Sequence, residues 1–326
     1  MPPLLETAGE RVAIESSLDW VTELIAEGSD GALRNGNGSG ASMQVAVEAD
    51  RRPFHTRAWE PLARGAWRHD GQVVIENACT SGFDLHFQGT LRCGRFTYRW
   101  RPPARDRAVG RLLRSRFHLL ARAALVQYPA LWWAGVRGRA PLHASACTAG
   151  SATPLIAAPS GIGRSTLLAR ELARGERATG DNLTVGDGYS VWGLVEPLRV
   201  EGGTGRRMPH GRRESKMEGR VDALTPDSVV VLARGGGDRP ELVPCEPERA
   251  ARSLIASTFM AGELRRYWAF AATLALGTGL GPAHSRVAEV ASEFTDAVPC
   301  FSLAFSSPSQ AELAELFTGT QTEVEV

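Results

Sequence analysis

The heptapeptide Ser160-Gly-Ile-Gly-Arg-Ser-Thr166 sets two glycines, a guanidinium and three hydroxyls side by side. Before it, the apolar run Leu155–Ala158 meets the breakers Pro159, Ser160, Gly161 and Gly163. After it, Leu167, Leu168 and Leu172 recur with helical spacing. The pattern predicts a strand, a glycine loop and a helix. In such a turn the backbone N–H groups point inward and the helix N-terminus adds its positive end, so the loop can cradle a phosphate chain. Ser165, just inside the helix, is placed to ligate a Mg²⁺ ion bridging the phosphates. Against the pattern G-x-x-x-x-G-K-[ST], Ala158 takes the first glycine position and Arg164 the lysine position.

The flanks add context. His143 lies on an expected strand before the loop, and Arg174-Gly175 leads to Asp181-Asn182 without a gap. Together with Ser160–Ser165 these residues resemble the HPr kinase/phosphorylase family and the HPr-kinase-like serine kinases found near peptide-modification genes. The resemblance covers roughly residues 140–220. It implies an ATP- and Mg²⁺-dependent kinase whose acceptor is a serine of a protein or peptide. Carried over by position, it implies Asp181 as the general base with His143 beside it. Ser160, Gly161, Ile162, Gly163, Arg164, Ser165 and Thr166 would hold the nucleotide, and Ser165 the metal. Asn182 stands where the family has a second aspartate. Apart from any resemblance, phosphoryl transfer is mostly positioning and charge neutralisation, with one carboxylate orienting the attacking oxygen.

Gly186-Asp-Gly188 predicts a hairpin turn between Leu183–Val185 and Tyr189–Gly193. Glu196-Pro-Leu-Arg199 resembles the Gly-x-Pro-x-Pro-Leu-Arg segment of the same relatives. Glu196 and Glu201 are both candidates for a second metal ligand; Arg199 either faces phosphate or pairs with a neighbouring acid. Gly202–Gly219 is glycine-rich and basic, and reads either as a segment closing over nucleotide and substrate or as an ordinary exposed loop. Within it lies Lys216, the single lysine among 37 basic residues. A guanidinium cannot reproduce a compact ammonium between phosphates. Lys216 therefore either joins the catalytic set or is a surface lysine left behind by drift toward arginine.

These residues need a scaffold. Ser17–Glu27 predicts an amphipathic helix with Trp20, Val21, Leu24 and Ile25 on one face. Gly28–Ser42 reads as a flexible loop or, alternatively, a second anion nest. From Met43 to Trp100, short alternating segments at 44–48, 73–75, 83–87 and 95–100 predict a small antiparallel sheet packed by Trp59 and Trp67. His55, His69 and His86 share no ligand spacing. Ala108–Val126 predicts a helix whose Arg111, Arg114, Arg116 and Arg122 form a solvated basic face or, as the less favoured alternative, bind an acidic peptide. Leu131-Trp-Trp133 is expected to lead into the strand carrying His143. Further on, a buried strand at 227–232, a turn at 235–238, helices from Glu246 and through Leu264–Leu276, a strand at 300–305 and a helix at 310–317 are expected. Gly277-Thr-Gly-Leu-Gly281 follows a helix, so it is not a dinucleotide fingerprint.

With 326 residues, 43% of them hydrophobic, the chain can bury one large core or two. The expected organisation is α/β: a β-rich N-terminal domain with a leading helix over 1–105, and a P-loop, HPr-kinase-like module over 106–326. A net charge of +1 predicts no general attraction to nucleic acid or membrane. Five cysteines without C-x-x-C spacing argue against a zinc site and a disulfide framework, which makes the cytoplasm the expected compartment. No N-terminal signal pattern is read. The most apolar stretch, 123–136, is short and interrupted by Gln127 and Pro129. The leading expectation is a kinase acting on a serine hydroxyl. A silent nucleotide- or peptide-binding module, with Ala158 and Arg164 recording lost catalysis, and a kinase of a small hydroxylated metabolite are the rivals. A homo-oligomer is left open.

Overall fold

A computed structural model describes residues 2–36, 40–208, 211–235, 240–307 and 311–324. Parts of the 28–42 run and of the 235–238 turn, and Gln310, lie outside them. The chain is mixed α/β and divides into two compact units. The first comprises Met1–Gly138, Arg206–Gly211 and Arg266–Ser285; the second comprises Arg139–Gly205, Arg212–Arg265 and Arg286–Val326.

The first unit is built on an eight-stranded sheet. Its strands are β1 (Leu4–Thr7), β2 (Glu10–Ser16), β3 (Met43–Glu48), β4 (Glu60–Ala63), β5 (Ala66–His69), β6 (Gln72–Ile75), β7 (Phe83–Gly89) and β8 (Gly94–Trp100). They lie in the order β1-β2-β3-β8-β7-β6-β5-β4. The expected antiparallel sheet needs correcting, because β2 and β3 pair parallel and so do β3 and β8. Helix α1 (Asp19–Gly28) makes the β2–β3 connection and buries Val21, Leu24 and Ile25; parallel neighbours require such a crossover.

Helices α2 (Ala104–Leu112) and α3 (Arg114–Arg122) run through a π turn at Ala123–Gln127 into α4 (Tyr128–Val136). Leu131–Trp133, expected to lead into the strand carrying His143, lie within α4. Pro129 reads as a breaker, but it occupies the first turn of α4, where a missing N–H is tolerated. Just before it, the Tyr128 N–H reaches back five residues to Ala123 O. Trp132 and Trp133 are almost wholly buried, with the Trp132 ring 5.0 Å from Phe87. These two are core residues that the sequence did not single out; half-buried Trp59 packs on the sheet as expected, its ring 5.7 Å from His69 and from His86. No helix among the described residues is long and apolar enough to cross a membrane.

In the second unit, β9 (Ala140–Leu142), β10 (Ala144–Ala146) and β11 (Pro154–Ala157) precede α5 (Arg164–Ala173). Then come β12 (Thr184–Gly186), β13 (Val191–Gly193), β14 (Leu198–Val200), β15 (Arg213–Ser215), β16 (Ala223–Leu224), β17 (Ser228–Arg234), β18 (Glu241–Pro244) and α6 (Pro247–Met260). After α7 (Tyr267–Thr278), which packs on β4–β6 of the first unit, the chain returns with α8 (Val287–Ala297), β19 (Cys300–Phe305) and α9 (Leu313–Val324).

The central sheet of this unit has the order β10-β11-β17-β19-β18, with β11, β17 and β19 mutually parallel. In such sheets ligands gather beyond the carboxyl ends of the parallel strands. The 158–163 loop leaves β11 at that end. Leu167 and Leu168 of α5 are fully buried with Ile156, Val230 and Leu303, each contributing about 2 kcal/mol. They fix the helix against the sheet and so fix where the loop ends. A second sheet, β16-β13-β12-β9, contains the expected hairpin. Within the 202–219 segment, expected as one loop, Arg213–Ser215 forms β15 and pairs antiparallel with β14.

Candidate functional site

Beyond β11, Pro159, Ser160 and Gly161 are exposed, and Gly161 and Gly163 adopt φ of 85° and 122°, values that favour glycine. Arg234, at the end of β17, donates to Gly161 O at 3.0 Å and ties the loop to the next parallel strand. Helix α5 begins at Arg164 with no side-chain cap on its N-terminus, so its first N–H groups have no intrahelical or side-chain acceptor.

The Arg164 side chain is 6% exposed. One terminal nitrogen donates to His143 O at 2.6 Å; the other donates to Asn182 O and to Asn182 Oδ1, both at 3.1 Å. A guanidinium forks to several acceptors at once where an ammonium does not. The β10–β11 register sets Ala144 opposite Ala157, which brings His143 beside the start of the loop. The His143 N–H donates to Thr258 Oγ1 of α6 at 3.0 Å, and its ring Nε2 lies 3.2 Å from Asn182 Oδ1.

Asp181 is 1% exposed. Its segment is pinned to β10: the Thr179 N–H donates to Ala146 O at 3.0 Å, and Ser145 Oγ donates to Asp181 O. Only glycine fits at 193, because a Cβ there would lie 1.6 Å from Thr179 O. The Arg199 N–H donates to Asp181 Oδ2 at 3.3 Å, while Asp181 Oδ1 is buried with no hydrogen-bond partner. Unpartnered buried acceptors are scarce in folded proteins.

Around this aspartate, the Arg199 guanidinium donates to Glu196 Oε2 at 2.6 Å and to Glu263 Oε1 at 3.1 Å. Arg220 donates to Glu196 O. Burial pushes the Glu196 carboxyl above its ordinary pKa, opposed by Arg199. Burial also pushes Glu263 up, but Arg199, a backbone hydrogen bond, Asn182 and His143 together bring it below. The Arg164 guanidinium is lowered by burial, against the pull of Asp181, Glu263 and Glu196. Three carboxylates therefore face the guanidiniums of Arg164, Arg199 and Arg220. A phosphate chain brought here needs its charge met by backbone N–H groups and an added cation.

Burial, followed by the Arg164 charge, holds His143 down at about 4, so its ring is neutral at physiological pH. The unfolded ring titrates at 6.5. Its contribution to stability is therefore complete above pH 6.5 and is lost as pH falls toward 4, by roughly 3 kcal/mol. Glu196, raised in the fold, acts with the opposite sign, so the effect is read against a His143→Asn variant. In urea unfolding between about pH 7 and pH 4, wild type should lose roughly that much more than the variant. Parallel curves would mean that the ring is not buried in its neutral form.

The structure thus gathers Asp181, His143, Arg164, Arg199 and Glu196. Ser165 is half-buried in the first turn of α5 and Thr166 is exposed. Glu201 is exposed on the turn after β14. Lys216 is exposed and its ammonium lies 2.9 Å from Glu218. Glu263 and Arg220 were not expected from the sequence. Glu263 sits in a short 3-10 turn, Gly262–Leu264, more than sixty residues from its partner and without a motif to mark it. Among the described residues no three His, Cys, Asp or Glu side chains converge as a metal cage. Mg²⁺ does not require one, since it is usually held by one or two carboxylates plus substrate phosphates.

No protein-family model and no curated protein matches the chain. Among solved structures it is similar to the HPr(Ser) kinase/phosphatase from Coxiella burnetii, at 11% identity and a TM-score of 0.31. The match covers 57% of this chain and 99% of that one. A likeness of that size assigns no activity and no residue roles.

Proposed function

We propose that the second unit binds a nucleoside triphosphate on the 158–166 loop and transfers its terminal phosphoryl group to a hydroxyl, a serine of a protein or peptide. The observation that carries this reading is Asp181. Its carboxylate is buried, held through one oxygen by the Arg199 N–H, and has no partner on the other. Oδ1 thus keeps an unspent acceptor site, with which it would take a hydroxyl proton as that oxygen attacks the terminal phosphorus, once the substrate hydroxyl has been admitted to it. The bond to the bridging oxygen breaks and a nucleoside diphosphate leaves. Arg199 also joins Glu196 and Glu263, which fixes the backbone behind Asp181 and keeps the carboxylate aimed.

The residues present fit Mg²⁺. Glu196 Oε1 is buried with no hydrogen-bond partner, and Ser165 lies in the first turn of α5; these two would hold the ion. When bound, Mg²⁺ supplies the positive charge that the internally matched arginines do not. Glu201, on its exposed turn, is the less suited of the two candidate glutamates.

A second reading has an observation of its own. Arg164 spends both terminal nitrogens on His143 and Asn182, so the loop's cation is engaged inside the protein. That favours a module that binds nucleotide without turning it over.

Nucleotide titrations of wild type and Ser165→Ala, with and without Mg²⁺, test the site. The variant should bind about tenfold more weakly with Mg²⁺ and nearly normally without it, because the lost group is a metal ligand. Equal losses under both conditions would indicate damage to the loop. Binding without transfer to any hydroxyl would favour the inert module.

A further inference from the structure

The first unit contains a cavity of about 750 Å³ remote in sequence from the loop chemistry, a size within the usual range for ligand pockets. Arg51, Arg101, Arg107, Arg111 and Arg114 line it, against a single carboxylate, Asp106. Arg101 is paired with Asp84, which is 3% exposed and also accepts the Asn77 N–H at 2.9 Å. Asp106 accepts from Asn77 Nδ2 at 2.8 Å. Among the described residues Arg51, Arg107, Arg111 and Arg114 form no ion pair. The pocket therefore has a fixed floor and an uncompensated positive wall. Like charges gathered without counter-charges repel one another, and an anionic ligand relieves that repulsion.

Part of the lining is aromatic. Trp100 and Phe117 line the cavity with ring centroids 5.4 Å apart. Between the lining residues Arg111 and Arg114 in sequence, Leu112 and Leu113 are 83% and 46% exposed. Arg107 and Arg111 are one turn apart on α2; Arg114 and His118 are one turn apart on α3. The two helices meet at Leu113, whose φ of -112° and ψ of 52° are not helical, so the basic groups of both helices gather about one cavity. A compact anion engages one or two such groups and has no use for apolar neighbours. An extended chain rises about 3.3 Å per residue and presents acidic and apolar side chains in alternation.

We propose that this cleft docks an extended acidic peptide segment, with carboxylates on Arg51, Arg107, Arg111 and Arg114 and apolar side chains on the Trp100–Phe117 wall and the exposed leucines. It stands on the first unit alone, whether or not the second transfers phosphate. Guanidiniums suit the role because each can hold a carboxylate bidentately.

The test is fluorescence anisotropy on the full chain without nucleotide. The probe is a fluorescein-labelled decapeptide of alternating glutamate and leucine, and the control is its lysine–leucine counterpart. The acidic probe should bind, weaken as salt is raised, and lose about tenfold or more in affinity with Arg111→Glu/Arg114→Glu. Arg51→Glu, on a different segment, should reduce binding as well, which separates lost charge from a damaged helix. Thermal unfolding verifies the fold of each variant. Failure of the acidic probe to bind, equal binding of the lysine probe, or unchanged binding by both variants would overturn the proposal. So would displacement of the probe by inorganic phosphate or ATP at equal charge concentration, which would make this a small-anion pocket. None of these outcomes bears on phosphoryl transfer.

Discussion

Asp181→Asn is expected to lower phosphoryl transfer by about a hundredfold to ten-thousandfold while nucleotide affinity stays within about threefold of wild type. The amide oxygen can still accept the Arg199 N–H that Asp181 Oδ2 accepts, so the segment should remain in place. The amide nitrogen cannot take a proton, and it occupies the position of the unpartnered Oδ1. Transfer of labelled phosphate from ATP to a serine-peptide library, measured alongside thermal unfolding, separates loss of chemistry from loss of fold. Near-normal turnover by the variant would remove Asp181 from the mechanism.

The second large effect is on stability. Arg164→Met should destabilise the second unit by about 3 to 5 kcal/mol, because it leaves buried carbonyls without donors and three carboxylates short of a counter-charge. The unfolding temperature should fall by on the order of 10 °C. Arg164→Lys should cost about 2 kcal/mol, since one ammonium on a shorter stem cannot serve both His143 O and Asn182 O. The sequence pattern alone suggests that lysine here restores the usual loop. With the guanidinium engaged at 2.6 Å and 3.1 Å, the substitution instead removes a strut. An unchanged unfolding temperature in both variants would show that the guanidinium is not engaged internally.

What the sequence disclosed follows from where local rules operate. The strand, loop and helix around Gly161 and Gly163 are legible because breakers end an apolar run and leucines then recur at helical spacing. The hairpin at Thr184–Gly193 is legible through Gly186-Asp-Gly188, and the Asp187 carboxylate does accept the Tyr189 and Ser190 N–H groups. Proline misleads at 129, where the preceding π turn and the first-turn position of Pro129 make it harmless. Strands β1 and β2 go unnoticed among charged residues, and with them the parallel pairing of β2 and β3.

The candidate site shows the same division. Motif position identifies Arg164 but does not set the direction of a long side chain, which here turns back toward His143 and Asn182. Pairing of Arg199 with an acid, one of its two expected roles, holds for Glu196; Glu263 joins from a distant turn that no periodicity announces. The arginine-lined cleft draws on residues 51, 100–102 and 106–118, so only the fold assembles it.

Hydrogen exchange of the backbone amides from Ser160 to Thr166, read with and without ATP and Mg²⁺, tests the nucleotide site most directly. If the N–H groups of the loop and of the uncapped α5 terminus receive the phosphates, their exchange should slow by about tenfold or more at saturating nucleotide. The effect should require the triphosphate and should be smaller without Mg²⁺. Unchanged exchange across this stretch at millimolar nucleotide, with the protein folded, would contradict the proposal that the loop holds the phosphoryl donor.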